Sequence, residues 1–279
     1  MLRSVKDLED YAIGASDGII GHVKDFYFDD KAWVIRYLVV NTGAWLVGRK
    51  VLISPISIGH PDWTEKILPV WITKEQVKKS PGIDTETPVS RQHETRYLEY
   101  FGYPFYWQGG GLWGAGNSPK LLMPGSAGAV ATPPAVESKA KEADVRAEAA
   151  RHRDKEPHLR SCSAVMSYHI HATDGAIGHV QGLLVDDESW AIQYVIVATS
   201  HWWAGHQVLI APKWIREVSW SDATIFVNLT QQAVKDAPLY NLKAQLASEK
   251  ELGVYDYYGH LGYWATEETR IRDALERDH

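Results

Sequence analysis

The stretch Asp17-Gly18-Ile19-Ile20-Gly21-His22-Val23 occurs twice, returning as Asp174-Gly175-Ala176-Ile177-Gly178-His179-Val180. The offset of 157 residues also pairs Asp29-Asp30 with Asp186-Asp187, Trp33 with Trp190, Tyr37 with Tyr194 and Trp45 with Trp202. It pairs Val51-Leu52-Ile53 with Val208-Leu209-Ile210, Pro55 with Pro212, Gly102 with Gly259 and Trp107 with Trp264. No gap is needed between them. Chance runs do not stay in register over about a hundred positions, so the pattern points to duplication of a domain-sized unit. Whatever the first copy folds into must therefore be built twice.

Within a copy the signals are those of short strands. Ser4 to Leu8 reads as a one-turn helix, with Ser4 as its cap and Asp7 as the supporting acid. Tyr11-Ala12-Ile13 reads as a strand. The Asp17-Gly18 and Asp174-Gly175 pairs mark hairpin turns, because glycine accepts positive φ without a Cβ clash. A strand from about Ile20 to Phe28 is followed by a turn at Asp29-Asp30-Lys31, then by a strand from Trp33 to Asn41. Alternation along that strand predicts Trp33, Ile35, Tyr37 and Val39 inward, with Arg36 and its counterpart Gln193 outward. Val51-Leu52-Ile53, Ile56-Ser57-Ile58 and Ile67 to Ile72 complete the set. Thr73 to Ser80 reads as a short helix capped by Thr73 and stopped before Pro81. Crossover helices of βαβ length are missing, so the copies are expected as small barrels.

Each copy ends in an aromatic tail, Tyr97 to Trp107 and Val254 to Trp264. So many rings do not stay in water, and they are expected to lie across the barrel or the other copy. Gln108 to Arg160 is rich in Gly, Pro and Ala and then in mixed charge, which reads as a flexible linker. The expected organisation is a first barrel over residues 1–107, a linker over 108–160, a second barrel over 161–264 and a charged tail over 265–279.

With these motifs placed, the chain resembles the PRC-barrel family, which includes the cytoplasmic domain of the photosynthetic reaction-centre H subunit and the C-terminal domain of a ribosome-maturation factor. The resemblance rests on D-G-x-x-G-H-V, the strand ending Asp-Asp, the following Trp and Tyr strand, Gly48 to Pro55, and the helix at Thr73 to Ser80. Gly205 to Pro212 is a looser version in the second copy. The fold class implied is mainly β: two small PRC-type barrels in tandem, each with a short helix and an aromatic tail, joined by the linker. The family implies assembly with other proteins and supplies no shared catalytic residues.

Charge and cysteine content narrow the classes. The net charge is −6, distributed as −1 over residues 1–107, +2 over 108–160 and −7 over 161–279. A sequence-independent nucleic-acid binder needs a basic surface, so nucleic acid is not the expected partner. Cys162 is the single cysteine, which excludes an internal disulfide. The opening residues lack a signal-peptide core and no run of eighteen apolar residues occurs. The expected compartment is the cytoplasm, with no membrane insertion.

Asp17, Gly18 and Gly21, with Asp174, Gly175 and Gly178, are read as structural turn residues. Asp25 stands out, but its counterpart is Gly182. His22 and His179 fall at matched positions and read as strand-edge polar residues, with a pH-sensitive or metal pair as the alternative. His169 and His171 place two imidazoles on one strand face, and His201 and His206 are also peculiar to the second copy. These four are the candidate metal ligands, although no cysteine or carboxylate stands at a recognised ligand spacing. No nucleophile elbow, phosphate loop or dinucleotide fingerprint is present. No cofactor is expected.

Trp45-Leu46 and Trp202-Trp203 sit in matched loops and are the candidate partner contacts, because loop aromatics either fold back or bind. Leu46 and Val47 look like core, which assigns Trp45 more to stability and Trp202 more to contact. The function expected is a non-enzymatic adaptor or assembly protein, its partners being an unidentified protein, the two barrels with each other and a second copy of the chain. The alternatives are metal or small-ligand binding by the second-copy histidines, and an RNA- or ribosome-associated factor.

Overall fold

A computed structural model describes residues 1–81, 89–123, 158–199 and 206–240. The fold is mainly β, with two sheets. The described chain divides into two compact units. The first unit holds Asp7–Ser163 together with Asp187–Ala191. The second holds Met1–Lys6, Ala164–Asp186 and the chain from Ile192 onward.

The sheet of the first unit is built from β2 (Ala12–Ala15), β3 (Gly18–Asp29), β4 (Val34–Asn41), β5 (Lys50–Ile53) and β6 (Ile67–Pro69). Its order is β5-β4-β3-β2-β6, with β2 and β6 parallel and the other pairs antiparallel. The twelve-residue β3 has spare length beyond β2. There it pairs with β7 (Leu159–Ser161), Tyr27 opposite Ser161 and Asp29 opposite Leu159.

The second unit repeats the pattern with β8 (His169–Ala172), β9 (Gly175–Asp186), β10 (Ile192–Thr199), β11 (Gln207–Ile210), β12 (Ile215–Ser219) and β13 (Thr224–Val227), in the order β11-β10-β9-β8-β13-β12. The far end of β9 is paired by β1 (Leu2–Ser4), Leu2 opposite Asp186 and Ser4 opposite Leu184. Each unit is therefore completed by a three-residue strand that precedes the other unit's sheet in the sequence. Neither hydrogen-bonded path closes on itself among the described residues.

The helices are short. Val5–Leu8 forms α1 as expected. Lys74–Lys79 forms α2, and Thr73 and Gln76 exchange the two bonds of a capping box there. Arg91–Phe101 forms α3, begun by Ser90 accepting from His93 N and ended by Gly102 at φ 69°. Cys162–Val165 forms α4, and Gln231–Lys235 forms α5 under a Thr230 cap.

Three sequence expectations are corrected. Residues 108–123 are folded rather than linker: Trp113 is 1% exposed and its indole N–H donates to Ser189 O at 2.7 Å. Leu159 to Ser161 is strand, so ordered structure resumes within the expected linker 108–160. The linker residues 124–157, the second aromatic tail and the tail 265–279 lie outside the described residues. In β4, Val34 to Val40 are all buried, so the expected outward face of Arg36 is covered.

Candidate functional site

The Asp-Gly turns hold each unit's sheet to its short helix. Gly18 has φ 128° and Gly175 has φ 150°, a region that side chains rarely enter. Asp17 Oδ1 accepts from Lys74 N at 2.8 Å, and Asp174 Oδ1 accepts from Gln231 N at 2.7 Å. Each aspartate thus satisfies an orphan N–H at a helix start. Gly21 and Gly178 serve close approach. A Cβ on Gly21 would lie 2.0 Å from Asn41 O, and one on Gly178 would lie 1.9 Å from Ala198 O. Gly21 and Gly178, read from the sequence as turn residues, thus lie within β3 and β9.

Against that turn in the first unit lies the loop Gly43–Leu46, a single 3-10 turn. Trp45 is half-buried, its indole N–H donates to Ile20 O, and Lys74 Nζ stands 4.7 Å from the ring centroid. Leu46 is half-buried. Val47 is not core: it is 96% exposed with φ 53°, a left-handed conformation costly for a β-branched residue. Ile19, beside the turn glycine, is 47% exposed. Trp71, three residues before Lys74, is 65% exposed. Arg49 donates to Lys78 O at 3.3 Å and to Ser80 O at 3.1 Å, which ties the loop's exit to the end of α2. Lys50 and Lys78 are exposed beside it. The bonds from Asp17, Trp45 and Arg49 thus tie loop, turn and helix together, and Ile19, Val47 and Trp71 are exposed on these segments.

At the 157-residue offset these positions hold Ala176, Ala204 and Asn228 for the apolar residues. They hold His206, Gln207 and Gln231 for Arg49, Lys50 and Lys74. Trp202, Trp203 and His201 lie outside the described residues.

A second constellation, buried, escaped the sequence reading. The Arg36 side chain is 2% exposed, its guanidinium 3.9 Å from the Tyr106 ring centroid and 4.7 Å from that of Trp113. It donates to Leu112 O at 2.6 Å and stands 3.8 Å from Asp29 Oδ2. Glu94, with no side-chain exposure, accepts from Tyr106 Oη, pairs with Arg91 at 3.2 Å and contacts His158 Nε2. Burial lowers the Arg36 pKa, against the pull of Tyr106, Asp29 and Glu94. Burial raises the Tyr106 hydroxyl well above its usual value, and Glu94 adds to this. So enclosed a set joins β4, α3, the aromatic tail and the lead-in to β7. Its evident work is to fasten them.

Asp25 has a related role. Its carboxylate accepts from Ser163 N and Ser163 Oγ, both at 3.0 Å, and from Ser161 Oγ. It holds β7 and the start of α4 in place. Gly182, its counterpart in β9, has no such carboxylate to offer. Cys162 is buried, which raises its thiol pKa well above the usual value and leaves it unreactive.

The three candidate metal ligands among the described residues do not all converge. His169 and His171 lie on β8, while His206 precedes β11, three strands away across the sheet, or about 14 Å at the usual strand spacing. Among the described residues no group of three or more His, Cys, Asp or Glu side chains is placed to hold a metal. No helix among them is long and apolar enough to cross a membrane.

Residues 3–69 match the family model of the PRC-barrel domain. A PRC-barrel domain is found there. It spans β1 to β6, including the turn, the loop and Trp45, and ends just short of Trp71. No curated protein matches the chain.

Proposed function

We propose that the chain is a non-enzymatic assembly protein, made by tandem duplication of a PRC-type unit, whose first unit contacts a protein partner through its turn-end surface. The carrying observation is the exposure of Val47 in the loop and of Trp71 just ahead of α2, on segments that also hold the half-buried Trp45 and the exposed Lys50 and Lys78. Trp at the centre of an apolar patch with a charged rim is the usual make-up of an energetically dominant contact. Apart from Lys235, which matches Lys78, the offset positions in the second unit are small or uncharged, which argues for a specialised first unit in an otherwise repeated framework. The partner that fits presents an apolar anchor site edged by carboxylates.

The test is a Val47→Ser/Trp71→Ser double variant. Both side chains are largely in water, so melting should stay within about 0.5 kcal/mol of wild type, as for ordinary surface changes. Partner captured from the native host should drop by tenfold or more. Undiminished capture by the folded variant would reject this surface.

A further inference from the structure

The second unit's histidines supply an observation independent of the contact surface. His169 on β8 stands directly opposite His179 on β9. His169 N donates to Ala223 O on the β13 side at 2.8 Å, so its peptide groups face away from β9. On the β9 side the bond is made one residue earlier, Val180 N to Tyr168 O at 2.8 Å. His169 and His179 are therefore a non-hydrogen-bonded antiparallel pair, the class in which opposite Cα atoms approach to about 4.5 Å and side chains share one face. That face is the wet one. His169 is exposed and His179 half-exposed, while their neighbours Ile170 and Val180 are buried.

We propose that His169 and His179 form a two-imidazole chelate for a late divalent transition metal, Zn²⁺ or Cu²⁺, bridging β8 and β9 with water completing the shell. Imidazole nitrogen suits these ions and not the oxygen-seeking Mg²⁺ or Ca²⁺. The register neighbours of the pair are Thr224 and Ala198, small enough to leave the face open. His171 lies two residues along on β8, past a register shift, with its ring 5.7 Å from that of Phe226. The chelate is thus the cross-strand pair and not the i, i+2 pair on one strand. The first unit has the same backbone arrangement, Ala12 opposite His22 with Ala12 N donating to Lys66 O, but alanine replaces one imidazole.

The test is calorimetric titration of the full chain with ZnCl₂, with melting curves to verify folding. Wild type should show one site that weakens tenfold or more in His169→Ala and equally in His179→Ala. His22→Ala and His171→Ala should leave it within threefold. Ala12→His should add a second site of comparable strength, because it completes the same pair in the first unit. Glutamine replacements serve where an alanine variant does not fold. A wild-type chain without Zn²⁺ binding, a site that survives loss of either His169 or His179, or no added site in folded Ala12→His would each overturn the proposal.

Discussion

Glu94, without side-chain exposure, joins Tyr106, Arg91 and His158 in the first unit's interior. Removing one partner of a buried ion network leaves the others uncompensated, at a cost of about 3–5 kcal/mol. Glu94→Gln keeps the shape and loses the charge beside Arg91 and Arg36, so a loss of that size is expected in urea unfolding. A loss under about 1 kcal/mol would mean the network is not fastening the unit. Gly21→Ala should cost about 3 kcal/mol or more by overpacking against Asn41, and Gly178→Ala likewise in the second unit. The glycines and aspartates of the turns were legible because their signals are local: an Asp-Gly pair carries its own backbone requirement. Arg36 was not. Alternation along β4 treats a charged residue as the solvent face, and only the tail carrying Tyr106 and Trp113 turns that face inward. The members of the buried network stand at residues 29, 36, 91, 94, 106 and 158, and no window of sequence contains them.

At the level of elements, the legible parts were those whose period and caps agree. The helix from Thr73 is legible from its Thr73 cap and the stop before Pro81, and the strands from their turns. The segment after Gly109 was misread because its composition is that of a linker. It folds because one residue, Trp113, inserts its ring beside Arg36 and donates to Ser189 O. Trp113→Ala should therefore cost about 3–5 kcal/mol, the range for truncating a buried tryptophan, where a linker residue would cost nothing. Strand β7 carried its signal openly: Leu159-Arg160-Ser161 repeats Leu2-Arg3-Ser4 at the same offset. What the sequence does not state is which β-strand each copy of this tripeptide pairs with, because three residues carry no register information of their own. Arg160 also donates to Asp30 Oδ2 at 3.0 Å, and burial raises the Asp30 pKa against that bond. Asp25→Ala should loosen β7 selectively. Amide exchange at Arg160 and Ser161 should quicken well before exchange at Val39 or Val40 in β4.

For the molecule as a whole, the assignment of β1 to the second unit and β7 to the first makes each unit depend on a strand that lies in the sequence just ahead of the other unit's sheet. Deleting residues 1–4 should expose the β9 edge at Leu184 and Val185 to exchange and leave Tyr27 and Phe28 of β3 protected. Val47, Trp71 and Ile19 stand exposed on the first unit's loop, turn and approach to α2, the proposed contact surface. The most direct test places a photo-crosslinking amino acid at position 71 and, in a separate chain, at the offset position 228, and irradiates both in the native host. The account predicts one discrete protein adduct from position 71 and none from position 228. No adduct at 71, or the same adduct from both positions, would contradict it.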